Sequence, residues 1–470
     1  MVVGDFSKEA DTIVIGAGPG GYVAAIRAAQ LGQKVIIIEK EHVGGVCLNE
    51  GCIPSKALIS TGHDYVKTLS ETPNGISYQP AKLDFGKMQD WKNNTVVSTL
   101  TKGVRSLLKK NKVEIVEGEA FFTSANTLHV MQGEEQGISY SFNNCIIATG
   151  SRPIQIPNFE FSDKVLDSTG LLNLKELPER LVMVGGGYIG MELALAYANL
   201  GSKVTVLEGM TSVLNAFEKD LVKPVLNYAK KVGMEIITNA KAKSVQDQDA
   251  GLKVVYEVEG QEQSIEADML AVVVGRRPNT DNLSLELAGV KVDERGFIPV
   301  DQQGKTNQAH IYAIGDIVAG PALAHKASYE GKVAAAAIAG DAGAAVDYQV
   351  IPTVCYTSPE IAVVGLTEAQ AKEKGMAVKK ATFHFAGNGR ALSKNETEGF
   401  IRLISEKESK RIVGAQMVGQ EVAELIGEVT LAIENLMTAE DIVLTIHNHP
   451  SLGEAIMDTS EVLLGQGIHQ

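Results

Sequence analysis

Cysteine is nearly missing from this sequence, with four residues in 470. That density excludes a secreted fold stapled by disulfides. Positive charge is also short: 43 Lys and Arg stand against 57 Asp and Glu, a net charge of −14. Broad nucleic-acid binding needs the opposite sign and is excluded. The acidity either keeps the protein dispersed or favours a basic protein partner. No run of about 18 uncharged apolar residues exists, so no membrane span is expected. Asp5, Lys8 and Glu9 precede the first apolar run, which is not a secretory signal pattern. These absences predict a cytoplasmic globular protein, and its length allows about three domains at roughly 150 residues each.

Glycine, by contrast, is in excess at 47 of 470 residues, and its placement is informative. An apolar β-branched run from Thr12 meets Gly16-Ala-Gly18-Pro-Gly20-Gly21, then an alanine-rich segment to Gly32, then Val35-Ile-Ile-Ile-Glu39. This pattern predicts strand, turn, helix, strand. A second copy runs from Leu181 through Gly185-Gly-Gly187-Tyr-Ile-Gly190 to Val204-Thr-Val-Leu-Glu208. First glycine to terminal acid spans 39 − 16 = 23 and 208 − 185 = 23 positions. In such a unit the first glycine (Gly16, Gly185) makes a tight turn. The second (Gly18, Gly187) admits a pyrophosphate, and the third (Gly21, Gly190) lets helix pack on strand. The pyrophosphate sits on a helix N-terminus and the acid accepts a ribose hydroxyl. Glu208 would repel a 2′-phosphate, and Gly209 to Ser212 supply no arginine, so the second unit is expected to take NAD rather than NADP. A chain binding two dinucleotides usually passes electrons between them.

After the first unit comes Gly45-Val-Cys47-Leu-Asn-Glu50-Gly51-Cys52-Ile-Pro54-Ser-Lys56. Metal binding is one reading of the cysteines, but no second Cys/His pair stands at ligand spacing, and no metal site is expected. A structural disulfide is disfavoured in a reducing compartment. A catalytic dithiol/disulfide remains. Five residues of regular helix rise ~7.5 Å, beyond the roughly 4.4–6.8 Å that a disulfide spans between Cα atoms. The pair therefore requires a distorted turn, for which Gly51 gives freedom. Pro54 fits the first turn of a following helix whose N-terminus would favour a Cys52 thiolate. Cys145 and Cys355 lie in apolar segments and read as core.

The cysteine segment resembles that of the dihydrolipoamide dehydrogenases, a branch of the class I pyridine nucleotide-disulfide oxidoreductases. Further along, the similarity includes Ala148-Thr149-Gly150-Ser151, Gly275-Arg-Arg-Pro-Asn279, Tyr312-Ala-Ile-Gly315-Asp316, Leu323-Ala-His325-Lys326-Ala and His447-Asn-His449-Pro450-Ser451-Leu-Gly-Glu454. The resemblance implies an α/β fold: two Rossmann-like dinucleotide-binding domains and an α+β C-terminal dimerisation domain. The expected division is an FAD domain (1–150), an NAD domain (151–275), a central segment returning to the FAD site (276–347) and an interface domain (348–470). The last part reads as strands with two helices, and the alanine-rich run from Val333 as a core helix. No lipoyl domain is expected ahead of Thr12.

By the same resemblance, FAD would be held by the first unit with Glu39, Lys56, Ala120, Thr149, Gly150, Ser151, Asp316 and the backbone of Ala322, Leu323, Ala324 and His325. Lys56 would pair with Glu192. NAD would be held from Gly185 to Glu192, with Glu208 and Gly275. His449, oriented by Glu454, would be the general base and would act on the disulfide of the neighbouring subunit of a homodimer, with His447 a bystander. A thiol of pKa near 8.5 is only about 3% thiolate at pH 7, so the base would deprotonate a substrate dithiol for attack on Cys47. Cys52 would then pass electrons to FAD and on to NAD, oxidising protein-bound dihydrolipoamide. The implied partners are lipoyl domains and the subunit-binding domain of a dihydrolipoyl acyltransferase, in a 2-oxoacid dehydrogenase or glycine cleavage complex. Glutathione and mercuric reductases, the neighbouring alternatives, usually carry basic residues for NADP or a C-terminal cysteine pair. Glu208 and the cysteine-free tail differ from both. A different class, a binding module whose acidic surface docks a basic partner, would add to the enzymatic role. Two departures stand out: Glu50 between the cysteines, expected to raise the thiol pKa values slightly, and Ser451 where threonine is usual.

Overall fold

The computed structural model describes residues 7–69, 74–79, 81–133, 137–249 and 251–469, so Asp5 lies outside it. The first unit forms β1 (Lys8–Ile15), α1 (Pro19–Gln30) and β2 (Val35–Glu39). β2 is buried over Val35–Ile38, as a parallel strand covered on both faces must be. β1 lies parallel between β2 and the strand Gly137–Ile147, and β2 pairs with Glu114–Glu117. In the second unit, Arg180–Val184 lies parallel between Lys203–Leu207 and Met269–Val272, with Glu235–Ile237 beyond. Strand order is thus the same in both copies, third-second-first-fourth.

The duplication extends further than the glycine motifs. Between third and fourth strands each copy inserts an antiparallel meander, Glu119–Met131 in one and Lys241–Ala267 in the other. In the first copy Gly137–Ile147 serves both purposes. Its start pairs antiparallel with Thr127–Met131 and its end parallel with β1. In the second copy the two tasks fall to separate strands, Gln261–Ala267 and Met269–Val272.

The chain then returns. Ile311–Ala313 adds a parallel strand beside Cys145–Ile147, and helix Ala324–Ile338 packs on α1. Gly20 and Gly331 permit that contact: a Cβ on Gly331 would come within 2.6 Å of the Gly20 carbonyl oxygen. The alanine run lies in this helix, with Ala334 and Ala335 fully buried. Beyond residue 350 stands a five-stranded antiparallel sheet. Two longer helices, Val422–Glu434 and Glu454–Leu464, accompany it, and the expected count of two needs correction. Three helices of six residues are added, Glu368–Glu373, Gly389–Lys394 and Ala439–Leu444. They are too short to show apolar periodicity and are held at their starts by side chains, with reciprocal capping boxes Thr367/Gln370 and Thr438/Asp441. Among the described residues no helix is long and apolar enough to cross a membrane.

Candidate active site

The two glycine turns have the same local geometry. Gly16 and Gly185 take φ of +98° and +109°, a region that side chains rarely enter. A Cβ on Gly21 would stand 1.9 Å from the Gly16 carbonyl oxygen, and one on Gly190 2.0 Å from that of Gly185. First and third glycines are therefore packed. The second ones are open: a Cβ on Gly18 would have Gly45 as its nearest neighbour at 4.0 Å, and one on Gly187 would meet nothing. Gly18 and Gly187 are N-caps of α1 and of helix Tyr188–Leu200, and no side chain caps either. Both helix starts thus present free N–H groups and a positive dipole end to an unobstructed space. That cradle fits a pyrophosphate.

Each unit also fixes its acid in the same way. Ala17 N–H donates to Glu39 Oε2 (2.7 Å) and Glu41 N–H to Oε1 (2.9 Å). Gly186 N–H donates to Glu208 Oε2 (2.6 Å) and Met210 N–H to Oε1 (2.7 Å). Each carboxylate oxygen keeps a second lone pair for a ribose hydroxyl.

A cavity of about 720 Å³ opens from the first turn. It is lined by Gly16, Gly18, Glu39, Cys47, Cys52, Lys56, Ala120, Thr149, Gly150, Ser151, Asp316, Ala322 and Ala324, and by Glu192 from the second unit. Gly21 lies packed beneath the turn. Leu323 and His325 fall outside the lining, and His325 Nε2 bonds the Pro352 carbonyl (3.0 Å). Gly185, Gly187, Gly190, Glu208 and Gly275 also lie outside it, with the second turn. Ser151 Oγ donates to Asp316 Oδ2 (2.6 Å) and accepts from Arg276 Nε (2.8 Å).

The cysteines occupy the break between two helices. α2 (Gly45–Asn49) ends at Glu50, and α3 (Cys52–Thr68) begins just after Gly51. A Cβ on Gly51 would come within 3.1 Å of the Val46 carbonyl oxygen, so the turn closes tightly there. Both sulfurs are free thiols, Cys47 half-buried and Cys52 exposed, the latter to the cavity rather than to open solvent. The Cys47 S–H donates to Cys52, and this bond together with burial holds the Cys47 thiol far above its ordinary range. Accepting that bond lowers Cys52 to about 7; burial opposes, while the Lys56 charge and the Cys52 backbone N–H add. Of the pair, Cys52 is the more acidic. Glu50 lines the same cavity. Its carboxyl lies 3.9 Å from His42 Nε2, and burial raises its own pKa.

Lys56 and Glu192 meet at 2.8 Å, 136 positions apart. The approach is possible because α3 crosses helix Tyr188–Leu200 at Gly62, where a Cβ would stand 3.2 Å from the Ala196 carbonyl oxygen. Burial works against the Lys56 ammonium, but Glu192 outweighs it, and its pKa rises. In dithiothreitol-reduced protein, Cys52 should be half-alkylated near pH 7 and protected as pH falls below it. Lys56→Met should move that midpoint up by roughly one unit, the scale of one nearby charge. Site-resolved mass spectrometry after a timed iodoacetamide pulse reads both values.

His449 is elsewhere. Its side chain is 80% exposed, outside the cavity, with Nδ1 2.9 Å from Glu454 Oε1. A carboxylate can only accept, so Nδ1 carries the proton and Nε2 is left as the free base. Glu454 is itself fixed: Ser451 N–H donates to Oε2 (2.7 Å) and Ser451 Oγ accepts Glu454 N–H (3.3 Å). Burial would raise the Glu454 pKa, but the Ser451 N–H and His449 draw it below its ordinary value. Ser451 thereby keeps a role for its hydroxyl. His447 bonds Glu428 (2.9 Å) and the Thr445 carbonyl (2.8 Å), tying the loop down. Cys145 and Cys355 are fully buried. Among the described residues no three His, Cys, Asp or Glu side chains are grouped to hold a metal.

The pyridine nucleotide-disulphide oxidoreductase profile matches residues 10–331, and the dimerisation-domain profile of the same family matches residues 351–460. A dihydrolipoyl dehydrogenase of Geobacillus stearothermophilus is 57% identical over 469 residues, covering 100% of this chain and 99% of the relative. One from Bacillus subtilis is 55% identical over 470 residues, with 100% and 99% covered. A solved HOCl-induced flavoprotein disulfide reductase of Escherichia coli superposes with a TM-score of 0.86 at 28% identity, covering 96% of this chain and all of that one.

Proposed function

The chain belongs to the pyridine nucleotide-disulphide oxidoreductase family, and from that premise we propose the following roles for its residues. The reaction is the NAD-dependent oxidation of dihydrolipoamide to lipoamide by a homodimer that uses FAD and NAD. FAD is held at the first glycine turn and along the cavity by Glu39, Lys56, Ala120, Thr149 to Ser151, Asp316 and the Ala322–His325 backbone. NAD is held at the second turn by Gly185, Gly187, Gly190, Glu192, Glu208 and Gly275. The corresponding division is 1–150 for FAD, 151–275 for NAD, 276–347 completing the FAD site and 348–470 for the interface. When bound, FAD supplies the two-electron relay between the cysteine pair and NAD.

The chain's own residues do the thiol chemistry. The partner subunit's His449 takes a proton from one thiol of dihydrolipoamide. That thiolate attacks Cys47 Sγ of the oxidised pair, the Cys47–Cys52 bond breaks, and Cys52 leaves as a thiolate stabilised by Lys56. The second substrate thiol attacks its own sulfur in the mixed disulfide, closing the cyclic product and releasing Cys47. Two electrons pass from substrate to the pair. The observation that carries this reading is the Cys47–Cys52 contact on the cavity wall, with Cys52 drawn down to about 7. A base that stands exposed and away from its own cavity favours action across the dimer.

The lipoyl group belongs to lipoyl domains of an acyltransferase complex, and the acidic balance of this chain suits a basic subunit-binding domain. The cytoplasm is the proposed location. The test mixes purified holoenzyme with dihydrolipoamide and NAD and follows NADH. Rapid NADH formation is expected; oxidation of NADPH by glutathione disulfide with no NADH formed in the first assay would overturn the proposal. Glu208→Ser removes a charge-assisted bond of about 1.5–3 kcal/mol, so kcat/KM for NAD should fall about 10- to 100-fold. The value for NADP should not fall with it, and steady-state kinetics with both nucleotides checks this.

A further inference from the structure

The ion pair beside Cys52 has a third member from a distant part of the chain. Tyr356 follows the strand Thr353–Cys355 at the edge of the C-terminal sheet. Its backbone N–H donates to Glu192 Oε1 (2.8 Å), while Lys56 Nζ occupies Glu192 Oε2 (2.8 Å). Its ring lies 4.4 Å from Lys56 Nζ, within cation–π range. One residue thus holds both partners, the carboxylate through its main chain and the ammonium through its ring. Glu192 is nearly buried and Lys56 is a third exposed, toward the cavity. The ring face is therefore a second restraint on an ammonium that Glu192 alone would hold at the edge of that space.

We propose that Tyr356 is a positioning residue for Lys56, and through it for the Cys52 thiolate. The C-terminal sheet would then reach back into the redox centre of its own chain. The charged and titratable groups facing this cluster are Cys47 beside Cys52, Asp316 toward Cys47, Tyr188 and Glu192 on helix Tyr188–Leu200, Cys355 beside Glu192 and Lys56, and Glu360 and Glu424 around the Tyr356 ring. Glu360 and Glu424 both raise the Tyr356 hydroxyl. The inference depends on geometry at the pair and deepens the proposed function by adding a residue to its machinery.

The test uses holoenzyme reduced with dithiothreitol, so it does not depend on dihydrolipoamide turnover. Site-resolved alkylation of Cys52 across pH 5.5–9 gives its midpoint. Tyr356→Leu keeps the backbone N–H and removes the ring. Its midpoint should rise by about half a pH unit, the scale of a partly exposed cation–π contact. Tyr356→Phe should titrate like the unaltered protein. Fluorinated phenylalanines at 356 keep shape while draining the ring face, and they serve if the leucine variant does not fold. The midpoint should climb with each added fluorine. An unchanged midpoint across the fluorinated set, or a fall in it, overturns the proposal. Failure of the functional reading would show separately, as absent NADH formation from dihydrolipoamide in the unaltered enzyme.

Discussion

Replacing Cys47 with serine should lower NAD-dependent dihydrolipoamide oxidation on the order of 10⁴-fold, about 5.5 kcal/mol of barrier at ~1.36 kcal/mol per decade. The hydroxyl cannot accept the substrate sulfur, so no mixed disulfide forms and Cys52 has no partner to leave from. Flavin content should stay near that of the unaltered protein, because the glycine cradle at Gly16 to Gly21 owes nothing to this side chain. The serine hydroxyl can still donate to Cys52, so the Cys52 alkylation midpoint should stay near 7. A purified variant that retains flavin and a tenth of the original rate would remove Cys47 from the chemistry.

His449→Gln is the second large loss. A positioned base contributes about 10² to 10⁴ in rate, and glutamine keeps a polar side chain of similar reach without a basic nitrogen. The proposed geometry makes a sharper prediction. If His449 serves the partner's cysteines, a mixed dimer of Cys47→Ser and His449→Gln protomers holds one site with both lesions and one with neither. That dimer should show about half the unaltered rate, as the two-fold arrangement requires. If the base acted within its own chain, both sites would be defective and the mixed dimer would be as inactive as its parents. Tagged co-purification of the heterodimer followed by rate measurement separates the two.

The glycine turns were legible because their determinants are local. A tight turn, an open cap, a packed third glycine and a terminal acid all fall within 23 positions. The cysteine turn was legible for the same reason: helical rise and disulfide length conflict over five residues. His449 and Glu454 are likewise neighbours, and Ser451 and Glu454 exchange a reciprocal pair of bonds just ahead of helix Glu454–Leu464. What stayed hidden depends on distant crossings. Lys56 and Glu192 had to come from family resemblance, since their contact needs α3 to cross another helix at Gly62. Tyr356 lies 164 positions from Glu192 and acts partly through its main chain, which leaves no trace in residue type. The Arg276–Ser151–Asp316 chain is similar: Gly275 drew attention while the arginine beside it forms the link. The meander repeated in each unit was missed because no shared motif marks it: Lys241–Gln248 and Gln261–Ala267 are largely polar, while Thr127–Met131 and Gly251–Val258 carry buried apolar residues.

The most direct measurement asks whether Cys47 and Cys52 change oxidation state together during the reaction. Oxidised holoenzyme is alkylated before and after anaerobic addition of excess NADH, and each cysteine is read by mass spectrometry. The account predicts that Cys47 and Cys52 are both blocked before NADH, that after it Cys52 labels first and Cys47 more slowly, and that buried Cys145 and Cys355 do not respond. Labelling of both thiols before NADH, or of neither after it, would contradict it.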